Sequence, residues 1–420
     1  MEVKTLVKSD TQISISNNLN GLSGFDHSVK VTRVISRMCG VWPGFEEKKS
    51  FTERFFFIVP GMVTFFSITL PQLRRVMIHR KDLSTVLELM TTGIVMELIS
   101  ILKLLAIRYN QSGLRWLLRR MVDDWKIYDK GQYYKIMWVY ARHTNTIVTI
   151  CIALTTGNIA AQIIRQYAIY IIERHYSSAN ETVIKPTILK SDFYFNEQIE
   201  GIYELVVAAQ ILGGFSVAFS FTAFDGFFVC SIMHVSGQIH KLQMQIEDLV
   251  QCYERREGAF SEVLGPIVHR HRDLRGYAAV IEENFNKIFL VQMLVTSVFL
   301  CLQGFEFAMV VAEGGTEMVP HLIFIVCFVA SNLVSIFTYC FVAEQLRTQS
   351  NQLFRSIFQI RWYDLTPKDS RLLIIIMVQT KKPIEITVGK FVPFSLDYFC
   401  SVLKTSAGYL SVLLSMKDRL

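Results

Sequence analysis

Seven apolar runs, separated by polar connections, organise the chain. Five of them, 55–73, 144–164, 205–224, 288–305 and 318–343, carry no Asp, Glu, Lys or Arg. Two more are apolar with a few charges: 83–107 holds Glu88, Glu97 and Lys103, and 394–416 holds Asp397 and Lys404. A helix needs about 20 mostly apolar residues to cross the hydrocarbon core of a bilayer. The pattern predicts an all-α integral membrane protein with seven transmembrane helices, the first kinked at Pro60.

Helical spacing continues beyond several runs. Ile232, Val235, Ile239, Leu242, Ile246 and Leu249 extend the fourth helix out of the bilayer. Residues 263–286 read as a returning helix whose His269 to Asp273 stretch is a solvated face. Residues 346–360 extend the sixth helix, and Pro367 opens a helix through Met377 with Leu372, Leu373, Ile375 and Ile376 buried. Four regions follow: an N-terminal segment 1–54, a six-helix membrane region 55–343 with extensions at 230–287, a helical anchor region 344–393, and a last helix with its tail, 394–420.

Charge orients this frame. The N-terminal segment and the second, fourth and sixth loops hold 31 Lys and Arg, against 9 in the other loops and the tail. The positive-inside rule then places the N-terminus and the anchor region in the cytoplasm and the C-terminus outside. Residues 1–50 lack the continuous apolar core of a signal peptide. The sequon at Asn180 falls in an outer loop and is open to glycosylation, whereas the one at Asn110 falls inside. The formal charge of +7 belongs to the loops facing the cytoplasm, so the lipid bilayer is the expected partner and nucleic acid is not.

Composition agrees with the pattern. Hydrophobic residues make up 51% and charged residues 19% of the 420-residue chain; soluble domains carry about 25% charged residues. Mean hydropathy is +0.33. The eight cysteines show no CxxC spacing and lie mostly in apolar runs, so neither a metal site nor a disulfide scaffold is expected. No nucleotide-binding, zinc-protease or hydrolase motif is present, and no catalytic residues or cofactor are expected.

The last run has two faces. At about 100° per residue, Lys404, Thr405, Gly408, Val412 and Ser415 share one sector, with Met416 at its edge. Leu403, Leu410, Leu413 and Leu414 lie opposite. Polar groups on a membrane helix mark helix contacts or a water path, and a cation as deep as Lys404 favours water. One such helix cannot enclose a pore, so a pore requires several copies around an axis.

The C-terminal residues resemble the insect odorant receptor family. Trp362-Tyr363-Asp364-Leu365, the run Arg371 to Met377, Lys382 to Thr387, Gly389-Lys390-Phe391, Phe394-Ser395-Leu396 and Leu403 to Tyr409 follow the family signature in order and spacing. The family more often has Tyr and Ser where Ala407 and Gly408 stand. The resemblance implies an odorant-gated, non-selective cation channel, assembled as a heterotetramer with a co-receptor subunit, in olfactory dendrites. This chain reads as the tuning subunit, since its second cytoplasmic loop is short. The resemblance further implies a pore lined by the last helix, narrowest at an apolar ring matching Val412 and Met416. It implies a pocket for a small apolar odorant in the outer half of spans two, three, four and six. Candidates are Cys151, Thr155, Asn158 and Gln162, then Tyr203, Val207, Gln210 and Gly214, then Phe324 and Phe328, with Glu97 in span two open between pocket and packing. A gustatory-type channel of the same superfamily is the alternative. A G-protein-coupled receptor needs the opposite orientation and shows motifs this chain lacks.

An epitope tag at the N-terminus should stain only after permeabilisation, and a tag at the C-terminus on intact cells. Glycosidase should shift a band that depends on Asn180 and not on Asn110.

Overall fold

The computed structural model describes residues 23–45, 55–127, 131–176, 184–254, 260–315, 317–360 and 362–417. Asn180 lies outside them. Helix α1 (Ser23–Met38) precedes the membrane region. The first span joins α2 (Ile58–Thr64) and α3 (Leu70–Ile78), and the second joins α4 (Leu83–Leu89) and α5 (Val95–Tyr109). After α6 (Gln111–Lys126) come α7 (Gln132–Tyr176), α8 (Ile202–Glu254), α9 (Phe260–Glu313) and α10 (Met318–Gln359). These four carry spans three to six, and each is long and apolar enough to cross a membrane by itself. Helix α11 (Pro367–Thr380), a hairpin of β1 (Thr387–Val388) and β2 (Val392–Pro393), and α12 (Leu396–Lys417), the seventh span, complete the chain. The seven-span expectation holds.

The first two spans are interrupted, but not at Pro60. Pro60 sits in the first turn of α2, where a backbone N–H has no helical partner to lose. The irregularity is a π turn at Phe65–Thr69, just before Pro71. A proline ring collides with the carbonyl four residues back, and the wider turn accommodates it. A second π turn, Met90–Ile94, packs against the first. There Gly93 admits the Gln72 side chain so closely that a Cβ would lie 2.2 Å from its Oε1.

Beneath these turns a charge is buried. Lys103 of α5 is fully enclosed, and its Nζ lies 2.6 Å from Asp225 Oδ1 on α8. Tyr339 of α10 donates to the other Asp225 oxygen at 2.7 Å, and Gln292 of α9 donates to Tyr339 at 3.0 Å. Spans two, four, five and six are thereby tied to one ion pair. Removing one partner of such a pair costs about 3–5 kcal/mol, because the other is left buried and uncompensated.

At the opposite end from the 79–82 turn the long helices project together. Ile232, Val235, Ile239, Leu242 and Ile246 are all buried, as their spacing predicts. Phe228, Phe285, Phe289, Tyr339 and Phe394 form an aromatic cluster with ring centroids 4.7–6.2 Å apart. Helix α11 is capped by Thr366, whose hydroxyl accepts from the Asp369 N–H. It buries Leu373, Ile376 and Thr380, whereas Ile375 is exposed. Positions three and four apart share a face, and Ile375 turns to the other one with Ile374 and Val378. The His269–Asp273 stretch is also not a uniformly solvated face. Arg270 reaches Asp124 of α6 at 2.6 Å, and His271 is buried, its ring pushed down to about 4 by burial and by Arg275.

Asp124 also meets His234 of α8 at 2.8 Å. Burial pushes its pKa up, but His234 and Arg270 outweigh burial and hold the carboxyl below the usual range. Such a group stabilises the fold at neutral pH, and the contribution is lost as pH falls through the folded value. Asp124→Asn should therefore lower stability by about 1.5–3 kcal/mol at neutral pH. Melting of the solubilised receptor should show this gap narrowing below about pH 4.

Candidate ligand cavity

At the end near the 79–82 turn, spans one to six enclose a cavity of about 160 Å3. In its wall, Ile68 belongs to the first π turn, Gly93 to the second, and Met96 and Glu97 follow on α5. Helix α7 contributes Thr155, Asn158, Ile159 and Gln162, and α8 contributes Gln210, Gly214, Val217, Ala218 and Phe221. Gln292 comes from α9, and Phe324, Phe328, Ser331, Asn332 and Ser335 from α10. Ile188 and Leu189 close the cavity from the connection between α7 and α8.

Of the candidate positions, Thr155, Asn158, Gln162, Gln210, Gly214, Phe324 and Phe328 line this space, as does Glu97. Cys151, Tyr203 and Val207 do not. Cys151 is one turn below Thr155, whose hydroxyl bonds its carbonyl at 3.0 Å. Tyr203 donates to Pro186 O at 2.9 Å and meets Tyr167, so it braces the loop instead. Val207 is half-buried one turn from the wall. Helical spacing runs on past the cavity in both spans, to Cys151 in the middle of α7 and to Tyr203 and Val207 near the start of α8. Sequence reasoning missed Gln292, which stands in an unbroken apolar run, and Ile188 and Leu189, which stand in a polar connection.

The apolar part of the wall is aromatic. Phe324 stacks on Phe328 with centroids 5.7 Å apart, and Phe299 backs Phe328 at 5.5 Å. Gly214 leaves room, since the nearest atoms to a Cβ there belong to Ile159, at 3.6 Å, an ordinary van der Waals distance. Several polar wall groups already have partners. Ser331 donates to Asn158 Oδ1 at 3.1 Å, Asn332 to Phe328 O at 2.9 Å, and Thr69 to Glu97 at 2.6 Å.

The 184–201 connection acts as a lid. Gln162 Nε2 donates to Ile188 O at 2.8 Å. Gln210 accepts from Leu189 N and donates to Leu189 O and Ser191 Oγ, each at 3.2 Å. The outer edge is tied to the end of the first span: Arg75 meets Asp192 at 3.2 Å, Arg74 bonds Phe193 O, and Asp192 N bonds Pro71 O. Above the aromatic wall sits a charged cluster. Glu88 pairs with Arg165 at 3.3 Å and with Lys190 at 2.9 Å. Arg165 also lies 2.7 Å from His321 Nε2 and 4.6 Å from the Phe324 ring centre, and His321 approaches Glu306 at 3.6 Å.

The seventh span presents its expected small and polar face outward. Lys404, Thr405, Gly408, Val412 and Ser415 are exposed on the protomer. Leu403, Leu410, Leu413 and Leu414 are half-buried, and Leu410 seats against Gly304 of α9. The Met416 side chain lies outside the described residues. Asn110 donates to Asn284 O at 3.0 Å, at the end away from the cavity. Among the described residues no His, Cys, Asp or Glu group could hold a metal ion.

A bundle of seven spans, six of which line a lidded cavity, is the architecture of a membrane receptor. The chain belongs to the family described as 7tm Odorant receptor, whose profile matches residues 84–407. It is 23% identical over 341 residues to Odorant receptor 13a of Drosophila melanogaster, covering 76% of this chain and 78% of that one. It is 25% identical over 152 residues to the odorant receptor coreceptor of Aedes aegypti, covering 36% of this chain and 30% of that one. The fuller alignment is with an odorant receptor, as expected for a tuning subunit. In fold it is similar to the insect olfactory receptor OR5 from Machilis hrabei, solved in complex with eugenol: TM-score 0.77, 13% identity, 94% of this chain and 100% of that one. The family consists of receptors, not enzymes.

Gln210→Leu removes three bonds to the lid. At about 0.5–1.5 kcal/mol each, their loss should raise amide exchange across 188–192 at least tenfold, with little change in exchange of the aromatic cluster around Phe289.

Proposed function

We propose that this chain is the odorant-binding subunit of an odorant-gated, non-selective cation channel, assembled with a co-receptor subunit in the plasma membrane of olfactory dendrites. The lidded cavity carries this reading. It is mostly apolar, lined by Phe324 and Phe328, and holds about 160 Å3. A dry cavity of about 150 Å3 in another protein takes up benzene. A small volatile molecule of one ring or a short chain therefore fits. The complex of a similar receptor with eugenol supports a small organic ligand in this fold.

The surface supports assembly. The face of α12 carrying Lys404, Thr405, Gly408, Val412 and Ser415 is uncovered among the described residues and suits a water-filled axis shared with other subunits. Ile374, Ile375 and Val378 on α11 are exposed and suit contacts between subunits in the cytoplasm. At the outer end of the pore Val412 and Met416 form the gate: an apolar ring blocks ions because nothing there replaces their water. Odorant favours the dilated state by binding it more tightly.

Currents from the chain with and without a co-receptor, over an odorant panel, test the reading. Gly214→Leu should abolish responses or shift potency tenfold or more at equal surface expression. Gly157→Leu, where a side chain meets open space, should not. Cysteine at Val412 should react with water-soluble thiol reagents faster during odorant exposure. Unaltered dose–response curves in Gly214→Leu would place the ligand elsewhere.

A further inference from the structure

Arg165 follows directly on the uncharged run of the third span, where a long cationic side chain ordinarily turns back to water. Here it turns inward. Its side chain is 2% exposed, and its Cζ lies 4.6 Å from the centre of the Phe324 ring. The polar grip on it comes from two other spans. Arg165 Nη2 donates to Glu88 Oε1 at 3.3 Å, and Nη1 donates to His321 Nε2 at 2.7 Å. A guanidinium only donates, so that imidazole nitrogen is the acceptor. Arg165 Nε is buried without a hydrogen-bond partner. A position set by hydrogen bonding alone would serve all five N–H groups, so contact with the ring is part of what holds the guanidinium here. Glu88 does not depend on Arg165 alone, because Lys190 of the lid meets its other oxygen at 2.9 Å. Arg165 does not line the cavity. It reaches the cavity through Phe324, which does line it and which stacks on Phe328, backed in turn by Phe299.

We propose that Arg165 is a positioning residue of the odorant cavity: it touches no ligand but holds the Phe324 ring by its face, and the held ring sets how large a molecule the lid end of the cavity admits. The inference rests on the cavity being the odorant site. The hold is electrostatic. The face of an aromatic ring is negative and attracts a cation, more strongly where water is excluded. Phe324 is 3% exposed, so water does not compete for the guanidinium there. The ring is fixed by two neighbours, Arg165 at 4.6 Å and Phe328 at 5.7 Å. Truncating Arg165 leaves a void beside the ring. Phe324 then turns into that void, and the cavity grows at the lid end. A lysine keeps a charge for Glu88, but its compact ammonium cannot reach Glu88 and His321 and cover the ring at once. One methylene in an apolar pocket changes binding about tenfold or more. A ring displaced by that much changes which member of a homologous series binds best.

The test uses the receptor co-expressed with its co-receptor. The probes are n-alkylbenzenes from toluene to hexylbenzene and straight-chain acetates from ethyl to octyl. The reading is the potency of each longer member relative to the best wild-type member, a ratio independent of surface expression. In Arg165→Ala this ratio should rise about tenfold or more, and the best member should be at least one carbon longer. Arg165→Lys should shift the ratio in the same direction, by about threefold or more. Phe324→Leu should shift it too, and adding Arg165→Ala to Phe324→Leu should then change it by less than about threefold, because Arg165 acts through the ring. Ring-fluorinated phenylalanine at position 324 keeps the shape but makes the face less negative. Each added fluorine should move the ratio toward that of Arg165→Ala, and fluorination should do nothing in Arg165→Ala itself. A purely structural role for Arg165 would not follow the fluorine count. A wild-type ratio in Arg165→Ala or Arg165→Lys overturns the inference. So do shifts that add in full in the double variant, indifference to fluorination, no response to either series, or failure of both Arg165 variants to reach the surface. If Gly214→Leu abolishes responses while the ratio ignores Arg165, the cavity remains the ligand site and the positioning role alone fails. If Gly214→Leu leaves the dose–response curves unaltered, the cavity reading itself fails.

Discussion

A cation buried between membrane helices constrains everything around it. Lys103 has no exposed surface, so its ammonium must find an anion inside the protein. Asp225 supplies it, and this pairing fixes the second span against the fourth. The spare carboxylate oxygen takes the Tyr339 hydroxyl from the sixth span, and Tyr339 takes the Gln292 amide from the fifth. Four spans are thereby registered around one charge. A second polar cluster, built on Glu88, Arg165, His321 and Glu306, registers spans two, three, five and six at the other end. Between the two lies the apolar cavity. The helices cannot collapse onto it without separating buried charges, which is a physical reason for the space to persist.

The same helices lead from the cavity to the seventh span. Helix α9 lines the cavity with Gln292 and holds α12 further along, where Ser297 O accepts from Ser406 and Gly304 receives Leu410. On the proposed function, a ligand that alters the position of Gln292 acts on a helix that directly supports the pore face. The lid completes the arrangement. Its backbone is held by Gln162 and Gln210 from inside and by Arg74 and Arg75 from the end of the first span.

What was legible in the sequence is what periodicity controls. Ile232 to Ile246 and the outward face of α12 follow from a turn of 3.6 residues, and the seven spans follow from their length. The spans that carry the cavity follow only from the resemblance to the odorant receptor family; within α7, α8 and α10 residues three or four apart then share the face that lines it. Other features depend on partners far along the chain. Lys103 and Asp225 stand 122 positions apart, and nothing local marks either as the other's counter-ion. The π turns depend on how Pro71 and Gly93 meet neighbouring helices. Ile375 was misassigned because an unbroken apolar stretch, Leu372 to Met377, hides which face is inward. The lid residues Ile188 and Leu189 were hidden in a polar connection, because their burial comes from the amides that hold them.

The central claim is that odorant occupies the space bounded by Gly214, Phe324 and the 184–201 lid. Its most direct measurement is protection of a single cysteine. In Gly214→Cys, a small membrane-permeant thiol reagent should reach the cavity and silence the receptor at a measurable rate. Saturating odorant should slow that rate at least tenfold, while a cysteine at the outward-facing Gly157 reacts equally fast with and without odorant. Equal rates at Gly214→Cys in the presence and absence of odorant would contradict the claim.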